Sequence, residues 1–156
     1  MKKILFVCTG NTCRSPMAEA IFQLLISQES GKTERYCAES AGISAFPGEP
    51  ISPNAAAALK QLGAKIPCHG ARQISDKMLE EADLVLTMER RHAWWLKRQF
   101  PIYSEKIVPC CEWAEEKTLQ DISDPYGGSM EEYRKTSELI RKVLIKCLYK
   151  LEKGGM

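Results

Sequence analysis

Hydrophobic and polar positions follow one another along the chain in blocks that predict strands and helices in turn. Short apolar runs, together with one more polar run, predict strands because strand-length apolar segments suit a buried sheet. These runs lie at residues 4–8, 35–41, 83–87 and 106–108. Apolar residues at helical spacing, bounded by start and stop signals, predict helices. These segments lie at residues 16–28, 55–62, 75–81 and 89–100. The alternation favours an α/β fold, a parallel sheet with helices on both faces.

The last third of the chain departs from this alternation. Residues 109–128 show no clean periodicity, which predicts a long loop of the kind that carries function. Ser129 and Glu132 form a capping-box pattern, in which the serine bonds forward and the glutamate bonds back. This pattern predicts a long helix with one apolar face. The face comprises Tyr133, Ile140, Leu144, Cys147, Leu148 and Leu151. Because no repeat or linker interrupts the chain, we expect a single domain over residues 1–156.

Composition and charge narrow the class of protein. Hydrophobic residues make up 44% of the chain and charged residues 27%, which is ordinary for a soluble globular protein. The 22 basic and 20 acidic residues leave a net charge of +2, too balanced to indicate nucleic-acid binding. No apolar stretch approaches the roughly 18 residues of a membrane span, and the first apolar run is too short for a signal peptide. We therefore expect a cytoplasmic protein with no membrane partner.

The seven cysteines do not suggest a disulfide framework or a metal site. Their number is odd and no secretion signal is visible, so structural disulfides are not expected. There is no Cys-x-x-Cys pair and there are only two histidines, which argues against zinc. Cys37, Cys68 and Cys147 are interpreted as small buried hydrophobic residues.

The segment directly after the first strand is where chemistry is expected. It reads Cys8-Thr9-Gly10-Asn11-Thr12-Cys13-Arg14-Ser15. A cysteine and an arginine beside the backbone N–H groups of a loop that enters a helix suit a bound oxyanion such as phosphate. A cysteine and an arginine at this spacing would usually be a buried strand-end thiol and a surface cation. The preceding strand, the following helix start and the intervening glycine and asparagine favour the phosphate loop instead.

Each residue of this loop has a predicted part. Cys8 is the nucleophile, which must act as a thiolate, the form that a helix N-terminus or a cation stabilises. Arg14 can hold two phosphate oxygens with its planar fork. Gly10 and Asn11 tolerate the positive φ that turns successive N–H groups inward. Ser15 can donate a hydrogen bond to the Cys8 sulfur and can cap the helix.

Five segments together resemble the low-molecular-weight protein tyrosine phosphatases over nearly the full chain. These segments are Cys8 to Ser15, Ser40 to Gly42, His69 to Gln73, Asp83 to Met88, and Asp124 to Tyr126. The resemblance implies a four-stranded parallel sheet. It also implies a two-step phosphomonoester hydrolysis through a cysteinyl-phosphate, with no metal and no other cofactor. The expected partners are phosphorylated proteins as substrates, and phosphate or other oxyanions as inhibitors, for a monomeric enzyme.

The same resemblance assigns supporting residues. One carboxyl group can serve as the acid in the first step and the base in the second, and Asp124 fits this role. Asp-Pro alone would indicate only a turn, and Asp121 is interpreted as a solvated loop residue. Asn11, Ser40 and His69 match residues that hold the loop by hydrogen bonds. Cys8 and Cys13 match a reversible disulfide pair. The alternative for the second thiol is a small packed side chain.

The substrate-facing positions depart from the tyrosine-specific pattern. Thr12 stands where the tyrosine-specific members commonly carry isoleucine, leucine or serine; isoleucine or leucine gives an apolar wall against a phenyl ring, whereas the threonine hydroxyl suits a guanidinium better. Asp124-Pro125-Tyr126 is followed by two glycines, and Phe46 partly replaces a tryptophan. This pattern resembles the bacterial protein arginine phosphatases of the same fold and favours phosphoarginine. The segment from His69 to Gln73 has the tyrosine-phosphatase form, so phosphotyrosine remains the alternative substrate.

Two other functions are alternatives to a phosphatase. An arsenate reductase on this scaffold needs two further redox cysteines after the third strand, and residues 83–99 contain none. The adjacent pair Cys110 and Cys111 would be strained as a disulfide. A non-catalytic anion or RNA binder would use the basic and aromatic residues at 90–98. Helical spacing instead predicts that one tryptophan and Leu96 face the core and the charges face water.

Overall fold

The protein is built around a four-stranded, all-parallel sheet with strand order β2-β1-β3-β4. The structure is a computed structural model and describes residues 1–154. The strands are β1 (Lys2–Cys8), β2 (Tyr36–Gly42), β3 (Leu84–Thr87) and β4 (Ile107–Pro109). The helices are α1 (Arg14–Ser27), α2 (Pro53–Leu62), α3 (Asp76–Glu81), α4 (Arg90–Gln99), α5 (Cys110–Trp113) and α6 (Met130–Glu152). A 3₁₀ helix, Pro101–Lys106, lies between α4 and β4.

Alternate residues of the strands enter two separate cores. Ile4 and Phe6 belong to a large cluster with α1, α2, α5 and α6, where Phe6 and Phe22 have ring centroids 5.7 Å apart. Leu5 and Val7 point to the opposite face, into a smaller cluster with α3 and α4. The predicted sheet with helices on both faces is therefore confirmed, because strand side chains alternate between the two faces.

The predicted ends of the elements are close to those observed. The four strands and the helices α1 to α4 lie within two residues of the predicted bounds. Ser52 accepts a hydrogen bond from the Ala55 N–H, and Gly63 ends α2 in the left-handed conformation, as helix caps of these residue types do. All six apolar positions predicted for the long C-terminal helix are buried.

Several local predictions were wrong. The predicted loop at 109–128 contains the short helix α5, because Cys110 and Cys111 are buried against α6. Ser129 caps α6 through the Glu132 N–H, but no return bond from the Glu132 carboxylate occurs among the described contacts. Cys68 is exposed and Cys37 is partly exposed, so only Cys147 of that trio is fully buried.

The fold brings the carboxyl ends of β1, β2 and β3 together at one edge of the sheet. Cys8, the last residue of β1, pairs with Gly42, the last residue of β2. A Cβ on Gly42 would lie 2.5 Å from the Thr9 carbonyl oxygen, so this close approach requires glycine. Within residues 1–154, none of the helices has both the length and the apolar composition needed to cross a bilayer.

Candidate active site

The Cys8 thiol lies at the base of the loop that joins β1 to α1. Its sulfur is 2.9 Å from Ser15 Oγ and accepts a hydrogen bond from the Asn11 N–H at 3.3 Å. Ser15 Oγ also accepts from Asn11 Nδ2 at 2.8 Å, so its one hydrogen is directed either to the sulfur or to the more distant Ala41 carbonyl oxygen at 3.4 Å. Donors directed at the sulfur stabilise a thiolate there. Ser15 lies inside α1 and its side chain makes no cap, so that part of the prediction was wrong.

Asn11 holds the loop in shape. It is fully buried and has a positive φ of 57°, a conformation that asparagine tolerates better than most residues. Its amide donates to Ser15 and, at 3.0 Å, to Ser40 Oγ, and its Oδ1 accepts the Arg72 N–H at 2.9 Å. Gly10, also expected at positive φ, is not among the residues with that conformation. The strained turn therefore depends on one fully hydrogen-bonded asparagine.

A second layer of polar residues supports this asparagine. His69 Nε2 lies 2.5 Å from the Asn11 carbonyl oxygen, and the Arg72 guanidinium donates to the Ser40 carbonyl at 3.1 Å. Glu19 lies beside them on α1, and its burial raises its pKa despite the nearby Ser40 hydroxyl. The structure thus brings the predicted support residues Ser40 and His69 onto the loop.

Arg14 is buried beneath the loop and is only 1% exposed. Its guanidinium is surrounded by hydrogen-bond acceptors. Its Nη1 donates to Glu89 Oε2 at 2.5 Å and to the Ile122 carbonyl at 2.8 Å. Its Nη2 lies 3.5 Å from Asp124 Oδ2. Burial by itself raises the pKa of Glu89, but hydrogen bonds from Arg91 and Arg14 outweigh it and lower the pKa to about 2. A permanent carboxylate therefore fixes the orientation of Arg14 toward the pocket.

His92 connects the start of α4 to the loop. Its Nδ1 accepts the Glu89 N–H at 3.1 Å, so the ring hydrogen lies on Nε2, which faces Thr9 Oγ1 at 3.0 Å. Burial and then the charge of Arg14 lower the pKa of His92 to about 4, so the ring is neutral near pH 7. Arg91 donates to the same threonine oxygen at 3.0 Å. The Thr9 oxygen accepts twice, and its own hydrogen is left to donate to another acceptor.

Asp124 lies at the rim of the pocket on the loop before α6. Its Oδ1 accepts the Tyr126 N–H at 3.0 Å, and its side chain is 43% exposed. This placement leaves the carboxyl group accessible to a leaving group while Arg14 lies beside it. Asp121, expected to be solvated, instead accepts from the Arg90 N–H at 2.8 Å and pairs with the Arg90 guanidinium.

The pocket above Cys8 has a volume of about 330 Å³. Its lining comprises Cys8, Thr9, Gly10, Thr12, Cys13, Arg14, Ser44, Phe46, Glu49, Asp124 and Tyr126. Phe46 and Tyr126, each 78% exposed, form aromatic walls at its mouth. The residues predicted for catalysis and for substrate selection therefore surround one opening.

Cys13 is the second thiol of the pocket. It is 5% exposed, and its sulfur lies 3.4 Å from the Tyr133 hydroxyl and 3.8 Å from Thr12 Oγ1. Burial and the nearby thiol raise the pKa of Tyr133 to about 12. Both Cys8 and Cys13 are free thiols in this structure.

Several residues of the site escaped the sequence reasoning. The sequence predicts Glu89 only as the first residue of a helix, and Arg91 and His92 only as part of the basic, aromatic segment at 90–98. Glu19 is one turn beyond Ser15 on α1, a spacing that could have suggested a shared face. Glu49 lies in a loop rich in proline and glycine, and no local pattern marks it as a pocket residue.

Comparison with known proteins agrees with this geometry. Residues 3–155 match the family described as low molecular weight phosphotyrosine protein phosphatase. A protein-arginine-phosphatase of Bacillus subtilis is 35% identical over 96% of this chain and 97% of its own length.

Solved structures show the same fold. The YwlE arginine phosphatase from Geobacillus stearothermophilus superposes with a TM-score of 0.88 at 32% identity, covering 99% of this chain and 95% of its own. A low molecular weight protein tyrosine phosphatase from T. tengcongensis has a TM-score of 0.88 at 39% identity, covering 96% and 99%. The chain belongs to the low molecular weight phosphotyrosine protein phosphatase family and is a cysteine-dependent protein phosphatase.

Proposed function

We propose that this phosphatase prefers phosphoarginine in proteins. The observation that carries this proposal is that Thr12 and Asp124 line the same pocket above Cys8. A hydroxyl oxygen and the carbonyl oxygen of a protonated carboxyl group can both accept hydrogen bonds from a guanidinium, whereas a phenyl ring offers them no N–H donor. The arginine phosphatases of Bacillus subtilis and Geobacillus stearothermophilus, both similar over most of the chain, support the same preference.

The reaction follows from the positions of three residues. The Cys8 thiolate attacks phosphorus while Arg14 and the loop N–H groups hold the phosphate oxygens. The P–N bond breaks as the Asp124 carboxyl group transfers its proton to the departing guanidine nitrogen. The Asp124 carboxylate then takes a proton from water, whose oxygen attacks the phosphocysteine, so that the S–P bond breaks and inorganic phosphate leaves. The Cys8 thiolate is restored, and the water supplies the balance of atoms.

Phosphotyrosine is the second candidate substrate. The aromatic walls formed by Phe46 and Tyr126 favour it, since both rings are exposed at the mouth where a phenyl ring would stack. The similarity to the T. tengcongensis tyrosine phosphatase points the same way. A phosphate ester of tyrosine would pass through the same two steps, with the P–O bond breaking instead.

Further features complete the proposal. The chain is proposed to be one domain and a monomer in the cytoplasm. It is proposed to act on phosphorylated proteins without nucleic-acid or membrane partners, and to be inhibited by phosphate or other oxyanions.

Cys8 and Cys13 are proposed to form a reversible disulfide that protects the nucleophile from further oxidation. Their shared place in the pocket supports this pairing. An arsenate reductase is a weaker alternative, because Cys110 and Cys111 are buried away from solvent. A non-catalytic anion or RNA binder is also weaker, because Leu96 of the basic, aromatic helix is buried in the core.

The test compares kcat/KM for matched phosphoarginine and phosphotyrosine peptides, under reducing conditions at neutral pH, in the wild type and in Thr12→Ile. A preference for phosphoarginine that the substitution reverses would support the proposal. A preference for phosphotyrosine in both proteins would make this a tyrosine phosphatase in which Thr12 has no selective role. The unchanged fold of the variant can be checked by its phosphate affinity, which depends on Arg14 and the loop amides.

A further inference from the structure

A second carboxylate faces the pocket that holds Asp124. Among the described residues, the charged side chains that line this pocket are Arg14, Asp124 and Glu49. The geometry points to Glu49 as a specificity-determining residue, whose carboxylate attracts the guanidinium of a phosphoarginine substrate. This inference rests on the reaction proposed above and assigns it one more residue.

The loop that carries Glu49 is attached at both ends to the phosphate loop. The Ser44 N–H donates to the Thr9 carbonyl oxygen at 2.9 Å, and the Ser52 N–H donates to the Thr12 carbonyl oxygen at 2.9 Å. We call residues 44–52 the rim loop. Because both of its ends are hydrogen-bonded to the segment that binds phosphate, the rim loop has a defined position over the pocket.

A tight turn inside the rim loop fixes the Glu49 backbone. The Glu49 N–H donates to the Phe46 carbonyl oxygen at 3.2 Å, with Pro47 and Gly48 at the two central positions. Gly48 has a φ of 87°, so the turn is of the type that takes proline first and glycine second. Because this turn fixes the backbone of Glu49, only its side chain has to be ordered when a substrate binds.

The segment around Ala71 holds the same turn from outside. The Gly48 N–H donates to the Ala71 carbonyl oxygen at 2.9 Å, and the Ala71 N–H donates to the Glu49 carbonyl oxygen at 2.8 Å. The neighbouring His69 and Arg72 contact Asn11, so this segment connects the rim loop to the base of the site. Glu49 is therefore presented by backbone that several hydrogen bonds hold, although its side chain is exposed to solvent.

The charges in the pocket explain how Glu49 would favour phosphoarginine over phosphotyrosine. Arg14 is the cation among the lining side chains, and it pairs with Glu89 and lies beside Asp124, whereas the ion pairs of the described residues do not include Glu49. Any repulsion between Glu49 and the phosphate is the same for both candidate substrates and cancels in their ratio. The guanidinium of phosphoarginine is a cation, whereas the ring of phosphotyrosine is neutral, so only the first gains attraction from the carboxylate.

The test is the ratio of kcat/KM for phosphoarginine to that for phosphotyrosine, in Glu49→Gln and in the wild type. Glutamine keeps the size and the turn but removes the charge. Since an exposed ion pair contributes little and a charge-assisted hydrogen bond somewhat more, the ratio should fall about three- to tenfold. Raising the salt concentration should reduce the difference between the two proteins, because screening weakens an exposed pair.

A matched control removes the same charge elsewhere. Glu34 is exposed and precedes β2, at the amino edge of the sheet opposite the site. Glu34→Gln should leave the ratio unchanged. A ratio that falls equally in Glu34→Gln and Glu49→Gln would overturn the inference, because the effect would then come from net charge alone.

The outcomes also separate this inference from the proposed function. A wild type that prefers phosphoarginine, with the ratio unchanged in Glu49→Gln, would remove Glu49 and leave the proposed function standing. A wild type that prefers phosphotyrosine would end the proposed function. In that case a fall of the ratio in Glu49→Gln would still show that Glu49 selects for the cationic substrate, and an unchanged ratio would remove both ideas.

Discussion

The floor and the rim of the active-site pocket are built in opposite ways. The floor, formed by Cys8, Asn11, Arg14 and Ser15, is at most 3% exposed. The rim carries Phe46 and Tyr126, which are mostly exposed, on loops that are held through their backbone rather than through these two side chains.

This difference separates chemistry from selection. Buried polar groups that are fully hydrogen-bonded keep a single geometry, because any other arrangement would leave one of them unpaired. Exposed side chains on a fixed backbone can change without disturbing that geometry. We therefore expect changes on the floor to abolish the reaction and changes on the rim to alter the preference among substrates.

Replacing Cys8, the proposed nucleophile, should have the largest effect. Cys8→Ser is expected to lower kcat by at least about a thousandfold, because the serine hydroxyl is a far weaker nucleophile than a thiolate. Phosphate binding should persist, since Arg14 and the loop N–H groups remain, and calorimetric titration with phosphate would measure it. Loss of both turnover and phosphate binding would mean that the Cys8 side chain is also needed to keep the geometry of the phosphate loop. The effect could then not be assigned to the loss of the nucleophile alone.

Asp124 tests the boundary between the two regions, because it lies on the rim but is proposed to act in the chemistry. Asp124→Asn should lower kcat by about a hundredfold or more for a poor leaving group, as is usual when a general acid is lost. An aryl phosphate with a good leaving group needs little protonation and should be affected much less in the cysteine-phosphorylation step. Single-turnover rates for both substrates would measure this step. Equal slowing of the two would exclude Asp124 as the acid.

Acid should destabilise the folded protein through His92, which contacts the loop at Thr9. The pKa of His92 falls from 6.5 to about 4 on folding, mainly by burial. Between these two pH values, His92 therefore binds a proton in the unfolded chain but not in the folded chain. The free energy of unfolding should therefore decrease as the pH falls from 6.5 to 4, by up to about 2–3 kcal/mol. Glu89, with its pKa lowered to about 2, should extend this loss below pH 4.5.

Urea denaturation between pH 7 and pH 4 would measure this effect. In His92→Gln, which cannot take up the proton, the decrease between pH 6.5 and pH 4 should be smaller by the same amount. The comparison uses each protein's own value at pH 7 as its reference, so a general loss of stability in the variant does not affect it. An identical decrease in both proteins would show that His92 does not contribute.

Expectations from sequence were most accurate where the signal is local. The phosphate loop is contiguous, and its order of strand, cysteine, turn and helix appears within residues 4–28. The predicted positive φ was found at Asn11 but not at Gly10, because a glycine permits that conformation without requiring it. The helix α5 was missed because four residues are too few to show a period.

By itself, the sequence determined the strand and helix order, the position of the cysteine-to-arginine loop and the family resemblance, because each of these depends on neighbouring residues. Only the tertiary structure decided which distant charges meet at the site. Glu89 lies 75 positions from the arginine that it orients, and His92 lies 83 positions from the threonine that it contacts. Periodicity assigns a side chain to a face of its own helix or strand. It does not state which loop from elsewhere will be packed against that face, and that depends on how the sheet brings its carboxyl ends together.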